Sequence, residues 1–171
     1  MQIAVLTISD RSYLGEREDL SGPATSAAAR KHLGWDCTAA AIVPDDRDAI
    51  ADRIRHWADK DQMPLILTTG GTGFAPRDVT PEATRDAIER EAPGLSEAVR
   101  AASMNITPHA MLSRAVAGIR GRSLIVNLPG NPKGVQEAIE ILAPALPHAL
   151  ALLAEEPEAN LRHRPTNKPQ V

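Results

Sequence analysis

Aromatic side chains are almost absent: two Trp, one Tyr and one Phe make up 2% of 171 residues. The core must therefore be built from Ala, Val, Ile and Leu. There is one cysteine, Cys37, which excludes an internal disulfide and a cysteine-rich metal site. It lies in an apolar segment and is expected to be a buried structural thiol. A basic surplus is missing too. Nineteen Lys and Arg stand against 22 Asp and Glu, a net charge of −3, which argues against nucleic acid as the main partner. The five histidines, His32, His56, His109, His148 and His163, are scattered without metal-ligand spacing. No apolar run is long enough to span a membrane, and MQIAVLTISD lacks the basic lead and apolar stretch of a signal peptide. A cytoplasmic protein without a membrane partner is expected.

What is present is ordinary for a globular protein: 43% hydrophobic and 24% charged residues. The length fits one domain, expected over 1–154. The Pro-, Asn- and charge-rich segment 155–171 reads as a flexible tail. Along the chain, β-branched and apolar runs at 3–9, 36–43 and 65–69 read as strands. Helical patterns alternate with them at 21–33, after Asp46 and at 81–90. Pro93-Gly94 breaks the pattern, another helix is expected over 95–105, and 107–113 is ambiguous. Two apolar runs around Arg120-Gly121-Arg122 suggest a hairpin, so one strand is expected to run antiparallel. A last helix is expected from Gly134 to Leu142, with Pro144 and Pro147 interrupting before 149–154. The alternation predicts an α/β fold, a three-layer α/β/α sandwich on a mainly parallel sheet.

The most informative stretch is 65–81, LILTTGGTGFAPRDVTP. An apolar strand runs into Gly70, Gly71, Thr72 and Gly73, then a carboxylate at Asp78, then a helix start in which Thr80 suits the N-cap and Pro81 the first turn. Such a loop can place backbone N–H groups around a phosphate or oxyanion. It lacks the Lys-Ser/Thr of a P-loop and the spacing of a dinucleotide turn, so a tight turn that binds nothing remains an equal reading at this point.

In parallel sheets, ligands bind at the carboxyl ends of the strands. Four segments should meet there: Asp10 after the first strand, Asp45 and Asp46 after the second, the glycine loop with Asp78 after the third, and Asn127 with the turn Pro129-Gly130-Asn131-Pro132-Lys133 later. Carboxylates beside a phosphate-sized loop suit a hydrated Mg²⁺ on a polyphosphate. Ser9 and Ser113 have no His or Lys beside them, which favours a positioning mechanism over covalent catalysis. Each residue also has a plainer role. Asp46 suits a helix cap, Asp10 a bond to its own loop or to Arg11, Asp78 a pair with Arg77 or Arg114, and Glu89-Arg90-Glu91 a solvated face.

TTGGTGFAPRDVTPEAT at 68–84 closely resembles the signature of the MogA/MoaB family of molybdenum-cofactor biosynthesis. ISDRS at 8–12, DLSGP at 19–23, IVPDD at 42–46 and LSRAVAGIRGRSLIVNLPGNPKG at 112–134 match it in the same order, spanning about 3–153. The same fold recurs in the gephyrin G domain and in molybdotransferases. The resemblance implies a molybdopterin adenylyltransferase that uses Mg²⁺ and ATP, releases pyrophosphate, assembles as a homotrimer and hands its product to a molybdotransferase. Carried over by motif, Asp45 and Asp78 are the functional and metal-organising aspartates. Gly70, Gly71, Thr72 and Gly73 and the segment Pro129, Gly130, Asn131, Pro132, Lys133 form the ligand rim, with Asp10 and Ser113 as nearby polar contacts. APRDVTPEAT is closer to MogA. The SGP helix start and AVAG also occur in MoaB-like chains, for which a molybdopterin-binding protein without catalysis is the alternative.

Overall fold

The computed structural model describes residues 1–157. Six strands form one sheet: β1 (Gln2–Ile8), β2 (Asp36–Val43), β3 (Leu65–Thr69), β4 (Arg90–Glu91), β5 (Ala117–Arg120) and β6 (Ser123–Leu128), in the order β2-β1-β3-β6-β5-β4. β1 pairs parallel with β2 and β3, and β3 pairs parallel with β6. β5 is antiparallel to both β6 and β4, so it alone runs against the rest of the described sheet. The helices are α1 (Asp10–Tyr13), α2 (Ser21–Leu33), α3 (Arg47–Asp59), α4 (Thr80–Ala87), α5 (Pro93–Met104), α6 (Pro132–Leu142) and α7 (Leu146–Leu153).

Strand side chains alternate between two faces, and each face meets its own helices. Ile3, Val5, Leu65, Leu67, Leu124 and Val126 pack against Ala29, Ile139, Leu142 and Leu146 of α2, α6 and α7. Ala4, Leu6, Ile66 and Ile125 pack against Ile50, Ile54, Trp57 and Ala83 of α3 and α4. This is the three-layer sandwich that the alternation predicted. Ile50 and Ile54 are fully buried, and each contributes about 1.5–3 kcal/mol by leaving water. Aliphatic packing supplies nearly all of both cores, as the shortage of aromatics requires.

Register sets the site. Ile8 lies opposite Val43, Thr7 opposite Thr69, and Thr69 opposite Leu128. The loops after β1, β2, β3 and β6 therefore leave one edge side by side. The helices α2 and α3 lie on opposite faces, so the chain reverses winding between β1 and β3, the position where open α/β sheets bind ligands.

Several local expectations change. The polar loop after β1 begins with the short helix α1, capped by Ser9, whose Oγ accepts from Ser12 N at 3.2 Å. α2 takes its capping bonds from Asp19: Asp19 Oδ1 accepts from Ser21 N at 3.0 Å and Gly22 N at 2.9 Å. Thr80 does not cap α4. Its side chain is buried, and its hydroxyl donates to Gly70 O at 2.9 Å. α4 stops at Ala87 because Glu89 N donates to Ile119 O, and Arg90–Glu91 joins the sheet as an edge strand with exposed side chains. Pro93 begins α5 instead of ending a helix, and 108–112 form a 3₁₀ turn. α6 begins at Pro132, with Asn131 as its cap. Cys37 is half-buried, and its thiol donates to Ala39 O at 3.3 Å. The tail expected over 155–171 lies outside the described residues from 158 onward.

Candidate functional site

The four strand-end loops enclose a cavity of about 350 Å³ in which Asp10, Asp45, Gly70, Gly71, Asp78 and Gly130 meet. Asp10 and Asp45 are locked to each other through the backbone. Asp10 N donates to Asp45 Oδ2 at 2.9 Å, and Asp45 N donates to Asp10 Oδ1 at 3.0 Å. Asp10 pairs with Arg77, not with its neighbour Arg11: Arg77 Nε lies 2.6 Å from Oδ2 and Nη2 donates to Oδ1 at 2.8 Å. The neighbouring Asp46 does what its sequence context predicts, capping α3 by accepting from Ala49 N at 2.9 Å.

Two glycines bring backbone against these carboxylates. Gly70 has φ +101°, and a Cβ there would lie 2.3 Å from Ile8 O. Gly71 has φ +62°, and a Cβ would meet Thr80 Oγ1 at 2.3 Å and Asp45 Oδ1 at 3.1 Å. At Gly73 a Cβ would lie 2.9 Å from Asp78 Oδ2. Only glycine fits this arrangement without displacing a carboxylate or the β1 backbone. Asp78 Oδ2 accepts from Ala75 N at 2.8 Å, so the carboxylate closes its own loop. Neither sequence-suggested partner takes that carboxylate: Arg77 goes to Asp10, and Arg114 pairs with Glu82.

The electrostatics favour a cation. Five carboxylates line the cavity, at Asp10, Glu18, Asp19, Asp45 and Asp78, against the guanidiniums of Arg11 and Arg17. Burial raises the Asp45 carboxyl above its ordinary value. The negative charges of Asp10 and Asp78 push the same way, against the Asp10 N–H bond. Asp10 is held low, first by the Arg77 hydrogen bond and then by the Asp45 N–H. Glu82 is also low: burial raises it, and the Arg114 hydrogen bond outweighs that. Among the described residues no group of three or more His, Cys, Asp or Glu could hold a metal. The carboxylate oxygens of Asp45 and Asp78 at this cavity are the hard donor type that a divalent cation takes together with water and phosphate.

On the other side of the glycine loop lies a second cavity of about 500 Å³. Thr72, Gly73, Ser113, Pro129, Gly130, Asn131 and Lys133 line it with Val99, Ile106 and Leu112. Gly130 borders both cavities. Thr69 Oγ1 donates to Pro129 O at 2.6 Å and joins the two loops. Asn131 Oδ1 caps α6 through Gly134 N at 2.8 Å, and Lys133 lies 3.7 Å from Glu137. Pro132 lines neither cavity; it opens α6. Asn127 is not on the rim. It is buried, donates to Thr68 and Thr84 hydroxyls at 2.9 and 2.8 Å, and accepts from Val116 N.

The sequence gives no sign of the roles of Asp19 and Arg100, and it assigns Arg77 and Arg114 to the Asp78 carboxylate, which neither takes. Asp19 sits in the quoted DLSGP segment and accepts the Thr7 hydroxyl at 2.7 Å, so it ties β1 to α2 at the cavity wall. Arg100 donates to Ser113 O at 2.9 Å and Ala115 O at 3.1 Å, which sets the Ser113 turn. Nothing local to Arg100 in sequence signals these contacts.

The family model described as "Probable molybdopterin binding domain" matches residues 4–148. The chain is 43% identical over 159 residues to the molybdopterin adenylyltransferase of Helicobacter pylori J99, covering 90% of this chain and 88% of that protein. It is 44% identical to the molybdenum cofactor synthesis protein cinnamon of Drosophila melanogaster and 43% to gephyrin of Dictyostelium discoideum. It spans only 25% and 23% of those longer proteins. Among solved structures, the molybdopterin biosynthesis enzyme MoaB of Thermus thermophilus superposes with a TM-score of 0.82 at 48% identity, covering 91% of this chain and 98% of that one. A MogA structure superposes with 0.83 at 34%, covering 90% and 99%. No helix among the described residues is long and apolar enough to cross a membrane. The match over 4–148 and these relatives show that the chain belongs to the MogA/MoaB family of molybdopterin-binding domains.

Proposed function

We propose that the protein is a molybdopterin adenylyltransferase, which transfers AMP from ATP to molybdopterin and releases pyrophosphate. The observation that carries this reading is the pair of cavities flanking one glycine loop and sharing Gly130. Two substrates can be held on either side of a single transfer point. The relatives named for this activity, 38–43% identical, support it.

The acidic cavity suits the triphosphate only when its charge is neutralised, because carboxylates outnumber guanidiniums along its lining. Asp45 and Asp78 would hold Mg²⁺, which when bound supplies positive charge to the triphosphate. The wider cavity, with Val99, Ile106 and Leu112 in its wall, suits the pterin. A terminal phosphate oxygen of molybdopterin attacks the α-phosphorus of ATP, the new P–O bond forms, and the bond to the β-phosphate oxygen breaks with its electron pair leaving on pyrophosphate. The chain's contribution is to align these groups, with no covalent enzyme intermediate. A cytoplasmic location goes with ATP as co-substrate, and a molybdotransferase is the expected recipient of the adenylate.

Pyrophosphate release from Mg-ATP, measured with and without molybdopterin, tests the reading. Release that requires the pterin is expected. The 48% identity to a MoaB keeps a second reading alive, a molybdopterin-binding protein without catalysis; pterin binding without release would select it. Release without pterin would mean a nucleotide hydrolase.

A homotrimer accompanies the proposal. Met104 and Met111 are exposed on and after α5 and line neither cavity, and an assembly would bury apolar surface of this kind. Analytical ultracentrifugation should give about three times the 18.3 kDa chain mass. A monomer at high concentration would contradict it.

A further inference from the structure

We propose that Arg114 is the positioning residue for Asp78: one guanidinium, anchored on Glu82, ties both ends of the 73–78 loop and fixes the Asp78 carboxylate at the nucleotide cavity. The inference rests on the adenylyl-transfer reading.

Residues 74–77 are all exposed, Phe74 included, so no core packing holds this loop in place. Its own hydrogen bonds are local: Asp78 N donates to Ala75 O at 2.8 Å, and Ala75 N donates back to the Asp78 carboxylate. These close the turn, and the exposed Arg77 side chain ties it to Asp10, but neither holds the loop's backbone carbonyls to the fold. Arg114 does. Its backbone N donates to Thr72 O at 2.9 Å, and its Nε donates to Gly73 O at 2.7 Å. Its Nη2 donates to Asp78 O, and Glu82 accepts from Nη1. Gly73 and Asp78 are thereby tied to one rigid plane. A lysine could place a charge there but could not span both carbonyls.

Arg114 lines neither of the two substrate cavities. It lies with Glu82 in a cleft behind the loop, and Asp78 borders both that cleft and the nucleotide cavity. Arg114 therefore acts through Asp78 and not on substrate. Glu82 keeps the guanidinium from turning away to solvent, since both side chains are one-third exposed.

The test compares Arg114→Ala, Arg114→Lys and Glu82→Gln with the parent protein. In Arg114→Ala, kcat is expected to fall about 100-fold, because ångström-scale misplacement costs that much, while pterin affinity stays unchanged. Arg114→Lys should not restore kcat. Added guanidinium should recover part of the loss in Arg114→Ala and none in an Asp78→Asn protein. Amide exchange at 74–79 should quicken about tenfold in Arg114→Ala with α3 unaffected. Glu82→Gln, which keeps the arginine, should give a smaller loss of the same kind, and it substitutes if Arg114→Ala does not fold. Unchanged kcat with unchanged exchange at 74–79 would overturn the proposal, as would a loss fully restored by Arg114→Lys. If the parent protein transfers no adenylyl group, the functional reading fails, and amide exchange alone then decides whether Arg114 holds the loop.

Discussion

Asp78→Asn is expected to keep the fold and lose adenylyl transfer. Asparagine retains an oxygen that can accept from Ala75 N, so the turn at 75–78 survives. The side chain is on a partly exposed loop, where substitutions usually change stability by less than about 0.5 kcal/mol, and Tm should move by no more than about 2 °C. The charge is lost where the nucleotide cavity and the glycine backbone meet. Removing one preorganised electrostatic group commonly lowers kcat by about 10²–10³-fold, and a loss of that size is expected here. Steady-state pyrophosphate release beside a thermal melt measures both. Near-normal turnover would show that Asp78 has no part in the chemistry.

Gly70→Ala should differ, with loss of stability and function together. At φ +101° an L side chain is strained by about 1–3 kcal/mol. Its Cβ would also press on Ile8 O, a strand carbonyl that cannot turn aside, adding about 1–3 kcal/mol of overpacking. The combined effect is a fall in Tm on the order of 10 °C. Gly70 O is the acceptor for the Thr80 hydroxyl, so relief of the clash would move the start of α4 and Asp78 with it. Gly34→Ala provides the contrast. Its φ is +69°, but nothing lies within 4 Å of the added Cβ, so only about 1 kcal/mol of backbone strain is expected, with turnover unchanged. Equal effects of the two alanines would remove the close approach of loop and strand as the cause.

These two outcomes separate what the sequence makes visible from what it hides. β2 and β3 are visible as apolar runs, α3 as a capped helix with Ile50, Ile54 and Trp57 spaced for burial, and the reversed strand as a hairpin around Gly121. Local chemistry also separates Asp46, the cap, from Asp45 beside it, which is left to face the cavity. The contacts that tie loops together are not visible in this way. Thr80 has the ideal residue type for a cap, yet its hydroxyl is used by Gly70, ten residues back. Arg77 and Asp10 are 67 residues apart, so no local pattern predicts their pairing, and Arg114, a partner the sequence suggests for the Asp78 carboxylate, binds the Asp78 carbonyl instead, from 36 residues away. Asn127 looks like a rim residue at the end of a strand, but pairing at Val116 and the Thr68 and Thr84 hydroxyls bury it. In each case a long-range partner outcompetes the nearest local one.

The central claim is that AMP, and not the terminal phosphate, moves to the pterin. The direct measurement uses ATP labelled at the α- or the γ-phosphorus, incubated with Mg²⁺, molybdopterin and the protein, with label followed into the pterin product. The account predicts α-label in the pterin and γ-label in pyrophosphate. γ-Label in the pterin, or α-label remaining wholly in free nucleotide while pterin is bound, would contradict it.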